Sequence, residues 1–387
     1  MSQRRFHLIN LALGLLLMSG SLYSGERRPT AEPGVYDSLV VLGQSAAFTG
    51  PAAALGTEFR RGAMLYFDYI NGEGGVHGRN IMLVSIDDGY EPDRTVVNTE
   101  RLINDDHVFG LFGYIGTPTS KAALPLVDKY QVPFIAPFTG AELLRTPTNH
   151  NVFNLRASYG QETDAMVEDA VRAGLNNIAV FYQDDSYGKA GLTGVQNALE
   201  KRNLALSTTA TVERNSIDVA EAVKRIKAAD PDAVMMISAY SSCAEFIRRA
   251  KSEGIDARFY NVSFVGSKAL ATDLWLDGRG VVVSQVMPFP GDLDVPVVKE
   301  YNALLQRFAP QSPISFGSLE GFIAAKVFVK GLQDAGRDLT RERLVAAFES
   351  FGEFDVGGFK INWDPTQHQG SELVNITVIG DNHRWLY

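Results

Sequence analysis

The sequence is poor in the residues that carry most covalent and metal chemistry. Its 387 residues contain one cysteine, Cys243, and six histidines. A single cysteine excludes an internal disulfide and leaves no partner for a Cys-rich zinc or iron–sulfur site. His7 falls in the leader described below, while His77, His107, His150, His368 and His383 are scattered without ligand spacing and read as residues of surface turns. No block of Lys or Arg occurs, and 36 basic against 45 acidic residues leave a formal charge of −9. Nucleic acid is therefore not an expected partner. Missing too are a G-x-S-x-G serine motif, a G-x-x-x-x-G-K-S/T loop, an H-E-x-x-H pair and a G-x-G-x-x-G first βα turn. Without them the chain does not read as an enzyme, and no cofactor is implied. The neighbouring carboxylates Asp87-Asp88, Asp105-Asp106 and Asp184-Asp185 do not restore an acid–base reading, because adjacent side chains need not converge. Cys243, just inside an expected helix and without a base partner, reads as a buried structural thiol.

What is present is an exported, folded chain. Apolar residues make up 45% and charged residues 21% of the sequence, a globular composition long enough for two or three domains at roughly 150 residues each. Arg4 and Arg5 precede an apolar stretch from Leu8 to Met18, followed by Ser19, Gly20, Ser21 and Ser24. Residues 1–24 thus read as a secretory signal peptide, too short in its apolar part to cross a bilayer as an anchor. Cleavage is expected after Ser21 or Ser24; with no cysteine there, the product is expected to be soluble in the periplasm rather than lipid-anchored. Residues 25–36, with Pro29 and Pro33, read as a linker.

From Leu39 the chain alternates short apolar runs with segments of helical period, the pattern of an α/β protein with mostly parallel sheets. Residues 37–137 hold four expected strands with crossover helices, and a second series of similar size runs from Asn154 to Met287. In such sheets ligands sit beyond the carboxyl ends of the strands. Two loops there, Gly116 to Ser120 and Pro137 to Gly140, offer Thr117, Thr119, Phe138 and Thr139, suited to a carboxylate or to simple helix capping. Asp184, Asp185, Tyr187 and Tyr240 follow strands of the second series, where tyrosine rings suit an apolar ligand surface and the two aspartates equally suit a cap.

Several phrases are shared with a known family. Gly43-Gln44-Ser45-Ala46-Ala47-Phe48-Thr49-Gly50, Ile70-Asn71-Gly72-Glu73-Gly74-Gly75-Val76-His77-Gly78-Arg79, Asp87-Asp88, Pro133-Phe134-Ile135-Ala136-Pro137, Asn154-Leu155-Arg156, Asp184-Asp185-Ser186-Tyr187-Gly188 and Asp230-Pro231-Asp232-Ala233-Val234 resemble the type I periplasmic solute-binding proteins. Within that fold they are most similar to the leucine/isoleucine/valine-binding family of ABC uptake systems. The resemblance implies two doubly wound lobes joined by three hinge crossings, near residues 155–158, 285–290 and 353–358. Residues 37–156 and 289–353 would form the first lobe, and 157–288 and 354–387 the second. It implies closure on a small-molecule ligand and docking at membrane permease subunits. By the same likeness Thr117, Thr119, Phe138 and Thr139 hold the ligand carboxylate, Tyr187 and Tyr240 face it from the second lobe, and Ala47, Phe48 and Leu55 touch its variable part. The family's acidic residue for an α-ammonium falls in Asn261-Val262-Ser263-Phe264, which contains no carboxylate. Either Asp184 or Asp185 substitutes, with Ser263 contributing a hydroxyl, or the ligand lacks an amine. The expected ligand is a small carboxylate with an apolar or aromatic body, or a branched-chain or related amino acid. A sensory domain that signals to a membrane or regulatory partner is the alternative use of the same clamshell.

Overall fold

The computed structural model describes residues 32–380 and 385–386; the signal-peptide reading of residues 1–24 and residues 25–31 of the expected linker lie outside them. Short apolar runs form β1 (Leu39–Ala46), β2 (Asn80–Asp87), β3 (Gly110–Phe112), β4 (Phe134–Ile135) and β5 (Val152–Phe153). They pair in the order β2-β1-β3-β4-β5, every pair parallel. Parallel neighbours need crossovers, and α1 (Ala53–Gly72), α2 (Pro92–Asn104) and α3 (Thr117–Tyr130) supply them. Pro92 opens α2, where its missing N–H costs nothing. The last strand, β5, is two apolar residues between Asn151 and Asn154, whereas the equally short β4 sits in the apolar run Val132–Ala136; the sequence pattern ends at four.

The second unit starts at α4 (Tyr159–Arg172), whose first turn is closed by a capping box between Ser158 and Gln161. It continues through β6 (Ile178–Gln183), α5 (Ser186–Glu200), β7 (Thr209–Val212), α6 (Ala220–Ala228), β8 (Ala233–Ile237), α7 (Tyr240–Ser252), β9 (Arg258–Asn261), α8 (Ser267–Leu274) and β10 (Val282–Gln285). Helices α9 (Pro296–Phe308), α10 (Phe316–Ala335) and α11 (Arg341–Glu349) follow, then a small antiparallel sheet of β11 (Gly352–Asp355), β12 (Lys360–Asp364) and β13 (Gln367–Gly370). Finally β14 (Asn375–Ile379) and β15 (Trp385–Leu386) extend the second sheet, giving β15-β14-β10-β9-β8-β6-β7. Among the described strands only β14 runs against the rest, antiparallel to both its neighbours β10 and β15.

Helices α9 and α10 lie against α1, and α11 packs on α10. The α1–α10 contact is unusually close: a Cβ on Gly62 would sit 1.7 Å from the Ser318 carbonyl oxygen, and one on Gly321 2.0 Å from that of Phe59. Arg341 fastens the α11 end by donating to the carbonyls of Val108 (2.7 Å) and Phe109 (2.9 Å). Strand β13 covers the other end of the first sheet, and this corrects the surface-turn reading of His368. That ring is buried, stacks on Phe153 at 4.0 Å and contacts the Val152 carbonyl at 3.1 Å through Nδ1. Burial pushes its pKa down. Upstream of β1, Val35 is buried and bridges to Val40, so the segment entering the first sheet is packed on it.

Candidate ligand cleft

The carboxyl ends of the two parallel sheets face each other. In the first lobe, β1 leads into Ala47 and Phe48. Ala47 is buried, and its carbonyl lies 2.1 Å from where a Cβ on Gly56 would stand, so α1 starts hard against it. The Phe48 amide donates to Asp87 (2.8 Å), and the Arg60 guanidinium stands 4.4 Å from the Phe48 ring. Asp87 and Asp88 end β2 with opposite fates. Burial pushes Asp87 up, but hydrogen bonds from Thr49, the Phe48 and Gly89 amides and Arg94 outweigh it and hold the carboxyl below the usual range. Asp88 is fully buried, and desolvation raises it to about 6 despite donors from Ser45, Tyr90 and Thr95.

The two threonine loops meet as the strand ends require. Thr117 and Thr139 hydroxyls are 2.6 Å apart, and Thr139 lies 3.4 Å from the Tyr159 hydroxyl. Thr119, by contrast, turns back onto its own helix, donating to the carbonyls of Ile115 and Gly116. Ser120, one turn after Thr117, keeps a buried hydroxyl without a protein partner, a group that in native proteins calls for water or ligand. Phe138 is buried under the Arg156 guanidinium at 3.9 Å and edge-on to Phe59 at 5.7 Å.

From the second lobe, Tyr187 is fully buried, 5.3 Å from the Tyr159 ring, with its hydroxyl 3.4 Å from the Ser238 carbonyl. Asp185 caps α5, accepting from the amides of Tyr187 and Gly188, and also takes Gln183 (2.6 Å) and Arg214 (3.3 Å). Its oxygens are committed to local structure. Tyr240 opens α7 half-buried, and burial pushes its hydroxyl pKa up. Ser263 donates its amide (2.7 Å) and hydroxyl (3.0 Å) to Glu162 while accepting from Arg156 (3.1 Å). Glu162 also takes Ser284 at 2.6 Å, and burial pushes its carboxyl up against these bonds and Arg156.

Three of the expected residues, Leu55, Phe138 and Ser263, line one interlobe void together with Arg156, Glu320, Met287 and Phe316, among others. The void measures about 20 Å³, room for about one water. Thr117, Thr139 and Tyr187 lie beside it behind aromatic rings. The lobes touch at its mouth as well: Gln183 reaches the Tyr90 hydroxyl (3.3 Å), Ser241 the Pro51 carbonyl (3.3 Å), and Arg214 and Asn215 both bind Glu91 at 2.7 Å. A ligand of ordinary size enters only when the lobes part. Sequence reasoning overlooked Arg156, Glu162, Glu320, Tyr90, Tyr159 and Phe264 as cleft residues. Glu320 carried a signal, a charge at the head of the apolar run Gly321–Ala325.

Two α/β lobes closing on a ring-lined interval between their strand ends define a ligand-binding clamshell. Among the described residues, no group of His, Cys, Asp and Glu is placed to hold a metal ion, and no helix is long and apolar enough to cross a membrane. The chain belongs to the periplasmic binding protein family, whose model matches residues 40–384, and within it to the type I, Leu/Ile/Val-binding group of ABC transporter proteins. It is similar to a possible leucine/isoleucine/valine-binding protein of Rhodopirellula baltica, 35% identical, with a TM-score of 0.86 over 90% of this chain and 96% of that one. A Leu/Ile/Val-binding protein homolog 7 of Brucella suis is 24% identical over 95% of this chain and 93% of its own. A Rhodopseudomonas palustris ABC solute-binding protein, solved in complex with benzoate, shares the fold at 18% identity and TM-score 0.80, over 90% and 95% of the two chains. The protein is therefore a periplasmic substrate-binding component of an ABC uptake system, of a family that binds and transports without catalysis.

Proposed function

We propose that the cleft captures a small carboxylic acid with an apolar or aromatic body and hands it to permease subunits. The observation that carries this reading is the state of the acidic groups in the cleft. Glu320 is held by Arg156, Glu162 by Ser263 and Ser284, and Asp185 by a helix start, Gln183 and Arg214. An ammonium buried among them finds no spare anion, at a cost of several kcal/mol. A carboxylate meets instead the hydroxyls of Thr117, Thr139 and Ser120, with rings of Phe138, Tyr187 and Tyr240 for the rest of the molecule.

A second reading, a branched-chain amino acid, is supported by Glu58 on the rim of the same void, facing Lys268 of the other lobe. Burial raises the Glu58 carboxyl, which weakens it as an ammonium partner. Calorimetric titration with leucine, isoleucine and valine beside the matched acids lacking the amine separates the two. Tighter binding of the acids is expected; preference for the amino acids overturns the first reading.

A further inference from the structure

Phe264 stands in the middle of the cleft. It follows Ser263 in a tight turn after β9, held by the Val265 amide on the Val262 carbonyl (2.9 Å) and by the bonds from Ser263 to Glu162 and Arg156. The ring is fully buried. Its centroid lies 4.6 Å from Tyr187 of its own lobe, and 5.8 Å from Phe138 and 5.9 Å from Tyr90 of the other. An aromatic side chain of one lobe thus packs on two aromatic faces of the opposite lobe, beside the only hydroxyl pair joining the two threonine loops among the described residues. Because the turn is anchored on both sides, the ring has little freedom of its own and travels with the second lobe. When the lobes part it withdraws with Tyr187, uncovering Phe138 and Tyr90; when they close it is the wall pressed onto whatever lies on those two rings.

We infer that Phe264 is the specificity-determining residue of this cleft, selecting ligands whose apolar body is flat and about the size of one aromatic ring. The inference rests on the carboxylic-acid reading for the ligand's head group but not for the role of the ring. With the ring seated on Phe138 and Tyr90 the closed cleft holds room for about one water, so an apolar body fits only as a layer slid between Phe264 and those two faces, whereas a smaller residue deepens the site by the volume of the lost atoms. Discrimination by an apolar wall of this kind is worth about tenfold or more per ring-sized change.

The test is calorimetry on the wild type, Phe264→Leu and Phe264→Ala with two paired series, benzoate against 2-naphthoate and leucine against tryptophan. Solution scattering of the same three proteins, without added ligand, accompanies it. The expected result is a ratio of large-body to small-body affinity that rises about tenfold in Phe264→Ala and less in Phe264→Leu. Ratios that stay within about twofold in both folded variants overturn the inference. A shift confined to the amino-acid pair sustains Phe264 and overturns the carboxylic-acid reading. If neither series binds, that reading falls and scattering decides: a larger radius of gyration in both variants sustains the bridging ring, and superimposable curves overturn it.

Discussion

Arg156 and Glu320, 164 positions apart, meet in a two-pronged ion pair, Nε to Oε1 at 2.8 Å and Nη2 to Oε2 at 2.6 Å, both side chains almost wholly buried. Burial works against the guanidinium charge, and Glu320 more than restores it. The pair ties the segment leaving β5 to α10, at the floor of the cleft. Glu320→Ala leaves an uncompensated buried cation, so unfolding by urea is expected to show a loss of about 3–5 kcal/mol. Replacing both partners, Arg156→Met with Glu320→Leu, is expected to cost much less. Equal losses in the single and double variants would contradict this account.

At the mouth of the cleft Glu91 receives Arg214 and Asn215 from the other lobe, each at 2.7 Å. These groups are partly exposed, so the clasp is weak and screened by salt. Glu91→Ala is expected to lower ligand affinity by about threefold to fivefold, with the melting temperature nearly unchanged. The deficit should shrink at high ionic strength, where the wild type loses the same contact. Titrations at low and high salt check both points.

Asp88 makes a pH-dependent contribution of definite sign. Its folded carboxyl is raised to about 6, against about 4 in an unfolded chain. Between those values the folded protein keeps a proton the unfolded chain has released, so this group makes stability fall as pH rises through the window. Asp87, held low, acts in the opposite sense: its stabilisation is present above about pH 4 and is lost as pH falls toward its folded value. Comparing urea midpoints from pH 4 to 6.5, Asp88→Asn is expected to gain about 1–3 kcal/mol on the wild type as pH rises. Parallel curves would remove Asp88 as the source.

The contact between α1 and α10 depends on hydrogen atoms where other residues carry carbon. Gly321→Ala places a Cβ against the Phe59 carbonyl, and a drop of about 2 kcal/mol or more is expected in chemical denaturation, since backbone cannot move aside cheaply. Gly72→Ala, at the open end of α1 with nothing within 4 Å, serves as contrast and is expected to stabilise by about 0.5 kcal/mol. A similar effect at both sites would mean that α1 and α10 are not in backbone contact.

Much of the architecture was readable because it is written locally. A buried parallel strand is a short apolar run and a crossover helix has its own period, so β1, β6 and β8 and the helices between them could be placed from neighbours in the chain. Thr117, Thr139 and Tyr187 could be placed at strand ends by the same rule, whereas Ser263 came only through the family resemblance. What stayed hidden depends on distant partners. Nothing near Asp185 distinguishes a cap from a ligand contact, and nothing near His368 says that β13 will lay it on Phe153. The pairing of Arg156 with Glu320, and the seating of Phe264 on rings of the other lobe, exist only once both lobes are assembled.

Strand β14 lies antiparallel on β10, with Val283 opposite Thr377, so the second sheet receives an inner member from residues about ninety positions further along. Synthesis must therefore reach residue 379 before β10 gains that neighbour. For a protein expected to cross a membrane as an extended thread, late completion is useful: until β14 is made, β10 is left as an open edge, and a sheet lacking an inner member is easier to keep unfolded.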